Sequence, residues 1–132
     1  IAMTAPVAQS AGEAADDWQV VFFMPAARSV ENLPAPAAES VAVRRVAPRT
    51  VAVLDFTGRW SEQRFLTRED ALRVMLEDHA IPSEGPAVWA RYDPPWTLWF
   101  LRRNEIWIEI PDGSVPAEKA ACAPAAIVGS GI

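Results

Sequence analysis

Apolar and polar positions alternate along most of this chain, and the pattern breaks it into short strands around one helix. Residues 1–9, IAMTAPVAQ, form an extended segment whose Pro6 excludes a helix interior and points to an edge or bulge position. Small and polar residues over 10–17 predict a loop. Over 18–24, Trp18, Val20, Phe22 and Met24 alternate with Gln19, Val21 and Phe23, predicting a strand buried on both faces at its end. Residues 25–40 carry three prolines and five alanines with no apolar period, which predicts an irregular connection. Residues 41–46 and 50–56 are β-branched runs separated by Ala47, Pro48 and Arg49, a spacing that suggests an antiparallel hairpin.

The helix is predicted over 61–80, with Ser61 as N-cap, Glu62 in the first turn and a stop at Pro82. Phe65, Leu72, Leu76 and His79 share one stripe with Met75 beside it, and Arg64, Arg68, Glu69, Arg73 and Glu77 cover the rest. That stripe should pack on a sheet. Two more strands follow, over 87–92 and 105–110. In the second, Ile106, Ile108 and Ile110 occupy one face, while Glu105, Trp107 and Glu109 occupy the other. Residues 111–132, rich in Ala, Pro and Gly, read as a mobile tail behind a domain spanning 1–110.

A length of 132 residues suits one domain with a real core, and a half-apolar composition suits a soluble globular chain. The net charge of −5 comes from scattered carboxylates, and the only arginine doublets are Arg44-Arg45 and Arg102-Arg103. This charge pattern argues against nucleic acid as a partner, since phosphates call for a basic face. One histidine and one cysteine cannot build a zinc site. No run reaches the roughly 18 to 20 apolar residues of a membrane span. Ile1 stands where a methionine would begin a chain, which suggests processing upstream and leaves the compartment open between cytoplasm and periplasm.

Four segments carry a family resemblance: IAMTAPV from Ile1, VVFFMP from Val20, VAVLDFTGRWSEQRF from Val51 and YDPPWTLWFLRRNEIWIEI from Tyr92. In this order they resemble SOUL-type haem-binding proteins. The last segment is the most specific, because it joins a Pro-Pro-aromatic loop to Arg-Arg-Asn-Glu and a final strand. The resemblance implies an α+β fold, a distorted antiparallel β-barrel flanked by helices. It also implies that two strands and a long helix precede the first segment, so the chain looks like the C-terminal two-thirds of a domain. An upstream fragment of the same protein, or a second copy, would then complete the barrel.

The implied ligand is haem or another porphyrin, held non-covalently. Residues 93–100 cannot be helix or central strand because of Pro94-Pro95, and the loop they form displays Trp96, Trp99 and Phe100 either as flat faces for a macrocycle or as core closing the barrel. Arg102 and Arg103 suit propionates, because guanidinium pairs carboxylates bidentately; an internal ion pair with Asp93, Glu105 or Glu109 is the alternative for either, evenly weighed for Arg102 and favoured for Arg103. Met3, Phe22, Met24, Trp60 and Phe65, all inside the matching segments, join them as candidate ligand contacts. Thr97 stands where some animal members of the family carry a lysine, which removes one cation from the loop. His79, Met3, Met24, Met75, Tyr92 and Cys122 are formal candidates for an axial ligand. The helix-end position of His79 favours capping over ligation.

Two classes of function follow. The first is a tetrapyrrole carrier or buffer. The alternative is an effector-binding-like module for other flat hydrophobic ligands, or a protein-interaction domain. Carboxylates at the site would favour cations, and arginine facing it would favour anions. An enzyme that modifies a tetrapyrrole has no positive residue in its favour. Asp16-Asp17 and Glu69-Asp70 are expected on a polar loop and a solvated helix face.

Overall fold

The computed structural model describes residues 6–12, 14, 16–24 and 30–115. Alternating segments become β1 (Val7–Ala11), β2 (Trp18–Phe22), β3 (Val51–Thr57), β4 (Glu84–Arg91) and β5 (Arg103–Glu109), with α1 (Glu62–Asp78) between β3 and β4. They form one antiparallel sheet of order β2-β1-β4-β5-β3. The class is α+β, as expected. The sheet is open, with β2 and β3 at its edges, and α1 is the single long helix among the described residues.

Both ends of α1 are capped. Ser61 Oγ accepts from Arg64 N at 3.4 Å, while its own backbone is extended. At the other end, Ala80 N donates to Glu77 O and Ile81 N to Leu76 O, both at 2.9 Å, with Ala80 at φ +54°. This is the six-to-one and five-to-two pairing of a Schellman motif, built on alanine where glycine is usual.

Strand alternation sorts the sheet into two faces. On the helix side Phe56, Phe65, Leu72, Leu76, Trp89, Ile106, Ile108 and Ile110 form the main core, with Phe65 stacked on Trp89 at 5.0 Å. Burial of each large side chain there contributes about 1.5–3 kcal/mol. The other face carries a smaller cluster of Ala8, Ala90 and Trp107, edged by Val21, Phe23, Val51, Val53, Val88 and Tyr92.

Several expectations are corrected. Residues 41–46 form no strand, and β3 pairs with β5 from Val51↔Glu109 to Thr57↔Arg103. That register sets Leu54 opposite Ile106, whereas the predicted partner segment would have offered Arg44 and Arg45, which instead reach Gln19 and Glu31. β1 is an inner strand, not an edge, and extends through Ser10 and Ala11. Pro6 precedes its first paired residue, so the missing N–H costs no ladder bond.

β2 is not buried on both faces: Trp18, Val20 and Phe22 are exposed because α1 packs over β3 and β5 and leaves β2 bare. β4 starts before 87 by absorbing Pro86 in a register shift between Glu84 and Val88, with Gly85 at φ +65°. His79 lies off the buried stripe and is exposed. Glu69 is not solvated; it takes Trp89 Nε1–H at 3.1 Å and Arg73 at 3.0 Å. Of the predicted tail, residues 111–115 turn back so that Val115 packs on the main core, and Thr50 Oγ1 bonds Asp112 Oδ1. Residues 116–132 lie outside the described residues.

Candidate ligand site at the aromatic loop

The Pro-Pro segment between β4 and β5 is braced as one unit. At its mouth Asp93 Oδ2 accepts from Arg103 N at 2.6 Å, and Tyr92 N donates to Arg103 O at 3.2 Å. Arg102 then spans the loop like a chord, with Nε donating to Thr97 O at 2.8 Å and Nη2 to Pro95 O. A 3₁₀ turn at Trp99–Leu101 completes it. This bracing turns the large side chains outward. Trp96 is 84 % exposed, and Leu98, Trp99, Phe100 and Leu101 are exposed beside it. A contiguous apolar patch on a rigid loop marks an interaction site.

The arginines divide into two sets. Arg45, Arg49, Arg73 and Arg103 each pair with a carboxylate. Arg59, Arg64, Arg68, Arg91 and Arg102 form no ion pair among the described residues. They lie instead on rings and backbone around Trp60: Arg102 at 4.6 Å and Arg91 at 5.6 Å from the Trp60 ring, Arg91 at 5.4 Å from Phe65, Arg68 at 5.6 Å from Phe56 and Arg59 at 5.0 Å from Trp99. Arg64 Nη2 donates to Thr57 O. Burial lowers the pKa of Arg91.

Among the described residues three buried side-chain polar atoms lack a hydrogen-bond partner, and all three belong to this cluster: Trp60 Nε1, Arg91 Nε and Asn104 Oδ1. Asn104 is 0 % exposed, and its Nδ2 donates to Gly58 O at 3.1 Å and Arg102 O at 3.3 Å. Arg91 and Asn104 are cross-strand partners, and Arg91 also stands opposite Val7, which stands opposite Phe22. Phe22, Val7, Arg91, Asn104 and Phe56 therefore form one row on the helix-side face.

The opposite face is closed by hydrogen bonds. Glu105, 3 % exposed, accepts from Tyr92 Oη at 2.6 Å, Trp107 Nε1 at 2.7 Å and Arg103 Nη2 at 2.6 Å. Burial and the Glu105 carboxylate both push the Tyr92 hydroxyl upward from its ordinary pKa. Every strong donor there is matched, so this network holds the strands together.

The structure thus brings Phe22, Trp60, Phe65, Trp96, Trp99, Phe100 and Arg102 to one end of the sheet, with Phe65 fully inside the core and Arg102 as the brace of the loop. Arg103 faces the other side, paired with Glu105. Met24 is half-buried just past β2. Met3 and Cys122 lie outside the described residues. His79 Nδ1 sits 2.8 Å from Met75 O at the C-terminal end of α1, a helix about 25 Å long whose other end lies next to Trp60 in the chain. Met75 is exposed and the Tyr92 hydroxyl is committed to Glu105. No group of His, Cys, Asp or Glu able to hold a metal ion occurs among the described residues, and no described helix is long and apolar enough to cross a membrane.

Arg91, Arg59 and Asn104 did not stand out in the sequence. One signal was present: two-residue alternation puts Arg91 on the same face as Trp89, a charge aimed at the core side.

A family model described as SOUL heme-binding protein matches residues 1–109 of the 132. No curated protein matches the chain.

Proposed function

We propose that this chain, which belongs to the SOUL heme-binding protein family, binds an anionic tetrapyrrole at the end of the sheet that carries the aromatic loop, as a carrier or buffer and without catalysis. One observation carries the proposal: Arg91 and Arg102 lie over Trp60, with Arg59 on Trp99, Arg68 on Phe56 and Arg64 on Thr57 O, and none of the five has a carboxylate partner among the described residues, on a chain whose net charge is −5. Like charges gather at a cost unless something negative joins them. Haem fits the set, with a planar apolar body for the rings and two carboxylates for the guanidiniums. The same arginines argue against a cationic ligand. His79 stays a helix cap in this proposal, and binding rests on apolar capture and charge.

The bare strip of Trp18, Val20 and Phe22 and the unpaired edges of β2 and β3 support completion of the sheet toward a barrel by further strands, from an upstream segment or a second copy. Titration of the purified protein with haemin tests the ligand. A shifted Soret band saturating near one equivalent is expected; absence of saturable binding would remove the proposal.

A further inference from the structure

We infer that Arg91, with the indole N–H of Trp60 beside it, is the seat of a ligand carboxylate, and that the body of the ligand lies over Val7 and Phe22. The inference rests on the tetrapyrrole-binding proposal and adds the subsite that recognises its acid group.

Arg91 differs from its neighbours in what its donors do. Arg102 and Arg64 spend theirs on backbone carbonyls, and Arg59 and Arg68 are exposed to water. Arg91 is half-buried, with its charge over the Trp60 and Phe65 rings, and its buried Nε has no hydrogen-bond partner. Stacking occupies the faces of a guanidinium and leaves its in-plane N–H groups free. A carboxylate meets two of them side by side, a geometry that ammonium cannot copy. Trp60 Nε1 is a second buried, unpartnered donor beside Arg91 Nε.

Asn104 Oδ1 is an acceptor and repels a bare carboxylate. It therefore bounds the seat on the β5 side, where a water or a ligand N–H can satisfy it. On the other side of Arg91 the row continues through Val7 to Phe22, about 10 Å away at the usual strand spacing. Phe22 is exposed there, with Trp18 and Val20 along the same strand. A flat acid anchored at Arg91 meets exposed apolar surface in that direction.

The experiment compares protoporphyrin IX with its dimethyl ester, which keeps the ring and removes both charges, on the whole chain. The acid should bind more tightly than the ester by on the order of tenfold to a hundredfold. Arg91→Met keeps an apolar stem over the two rings, and should bring the acid down to the ester's affinity while leaving the ester unchanged. Trp60→Phe keeps a ring and removes only the N–H, and should lose several-fold of the acid's advantage; it decides the matter if Arg91→Met does not melt cooperatively. Equal binding of acid and ester by the unaltered protein, or an advantage that survives both substitutions, would overturn the subsite and leave tetrapyrrole binding standing. Failure of both probes to bind would overturn the two together.

Discussion

Tyr92 donates its phenolic hydrogen to the buried carboxylate of Glu105 across the β4–β5 pair, at 2.6 Å. The bond joins the residue that opens the aromatic loop to the strand that follows it. Ionisation of Tyr92 would place two negative charges at hydrogen-bond distance inside the fold, so the folded state holds this proton more tightly than the unfolded chain does. The sign follows from proton uptake: the bond's contribution is fully present below the ordinary tyrosine pKa of 10.0 and is lost as pH climbs past it. Tyr92 is the only tyrosine. An absorbance titration of tyrosinate should therefore show one inflection, displaced above 10.0 and accompanied by loss of structure. Ionisation at the ordinary value in a still-folded protein would remove the Tyr92–Glu105 bond from this account.

Trp96 and Trp99 are on the outside of the loop, so truncating either should spare the fold. Trp96→Ala and Trp99→Ala should each weaken tetrapyrrole binding by about 1–3 kcal/mol, with melting temperature nearly unchanged. Phe65→Ala should do the reverse, costing about 3–5 kcal/mol of stability through an emptied core. Unchanged affinity in both tryptophan variants would move the ligand off the loop.

Glu69 leans from α1 onto the sheet and receives both Trp89 and Arg73. Glu69→Ala leaves the Trp89 N–H without its acceptor and should cost about 1–2 kcal/mol in urea unfolding. Glu77→Ala, on the exposed side of the same helix, should stay within about 0.5 kcal/mol. Equal effects would mean that Glu69 acts only as a surface charge.

Ala80 closes α1 in a left-handed conformation that costs an L-residue roughly 1 kcal/mol. Ala80→Gly relieves that strain and should raise stability by a few tenths to about 1 kcal/mol, after the entropy glycine restores to the unfolded chain. His79→Ala in the preceding position should leave any haem spectrum nearly unchanged. Loss of the Soret shift in that variant would make His79 an axial ligand and overturn the charge-and-stacking account.

What the sequence disclosed depended on the range of each interaction. Ser61, Pro82 and the Phe65-Leu72-Leu76 stripe are local signals, and the helix they predict is present with two residues trimmed from its end. The partner of β3 was not legible, because a short link and two β-branched runs describe a hairpin equally well. Only the apolar residues of β5, about fifty positions later, outcompete the nearer arginines. The resemblance carried in YDPPWTLWFLRRNEIWIEI located the loop, and the match over 1–109 agrees with it. Arg91 was harder to see. Its isolation is a property of which carboxylates are absent around it, and that requires the folded neighbourhood of Trp60, Phe65 and Asn104.

Arg102 tethers the loop to itself, and that has a kinetic consequence. A flap that must close over its ligand adds a conformational step to both arrival and departure. Here the rings are already fixed in place and Trp96 stands almost fully in water, so a ligand on the loop meets no gate in either direction. Residence time is then set by contact strength alone. A macrocycle held on the loop as proposed would keep one side within reach of another protein, which could take it by direct hand-over in a transient complex without release into solvent.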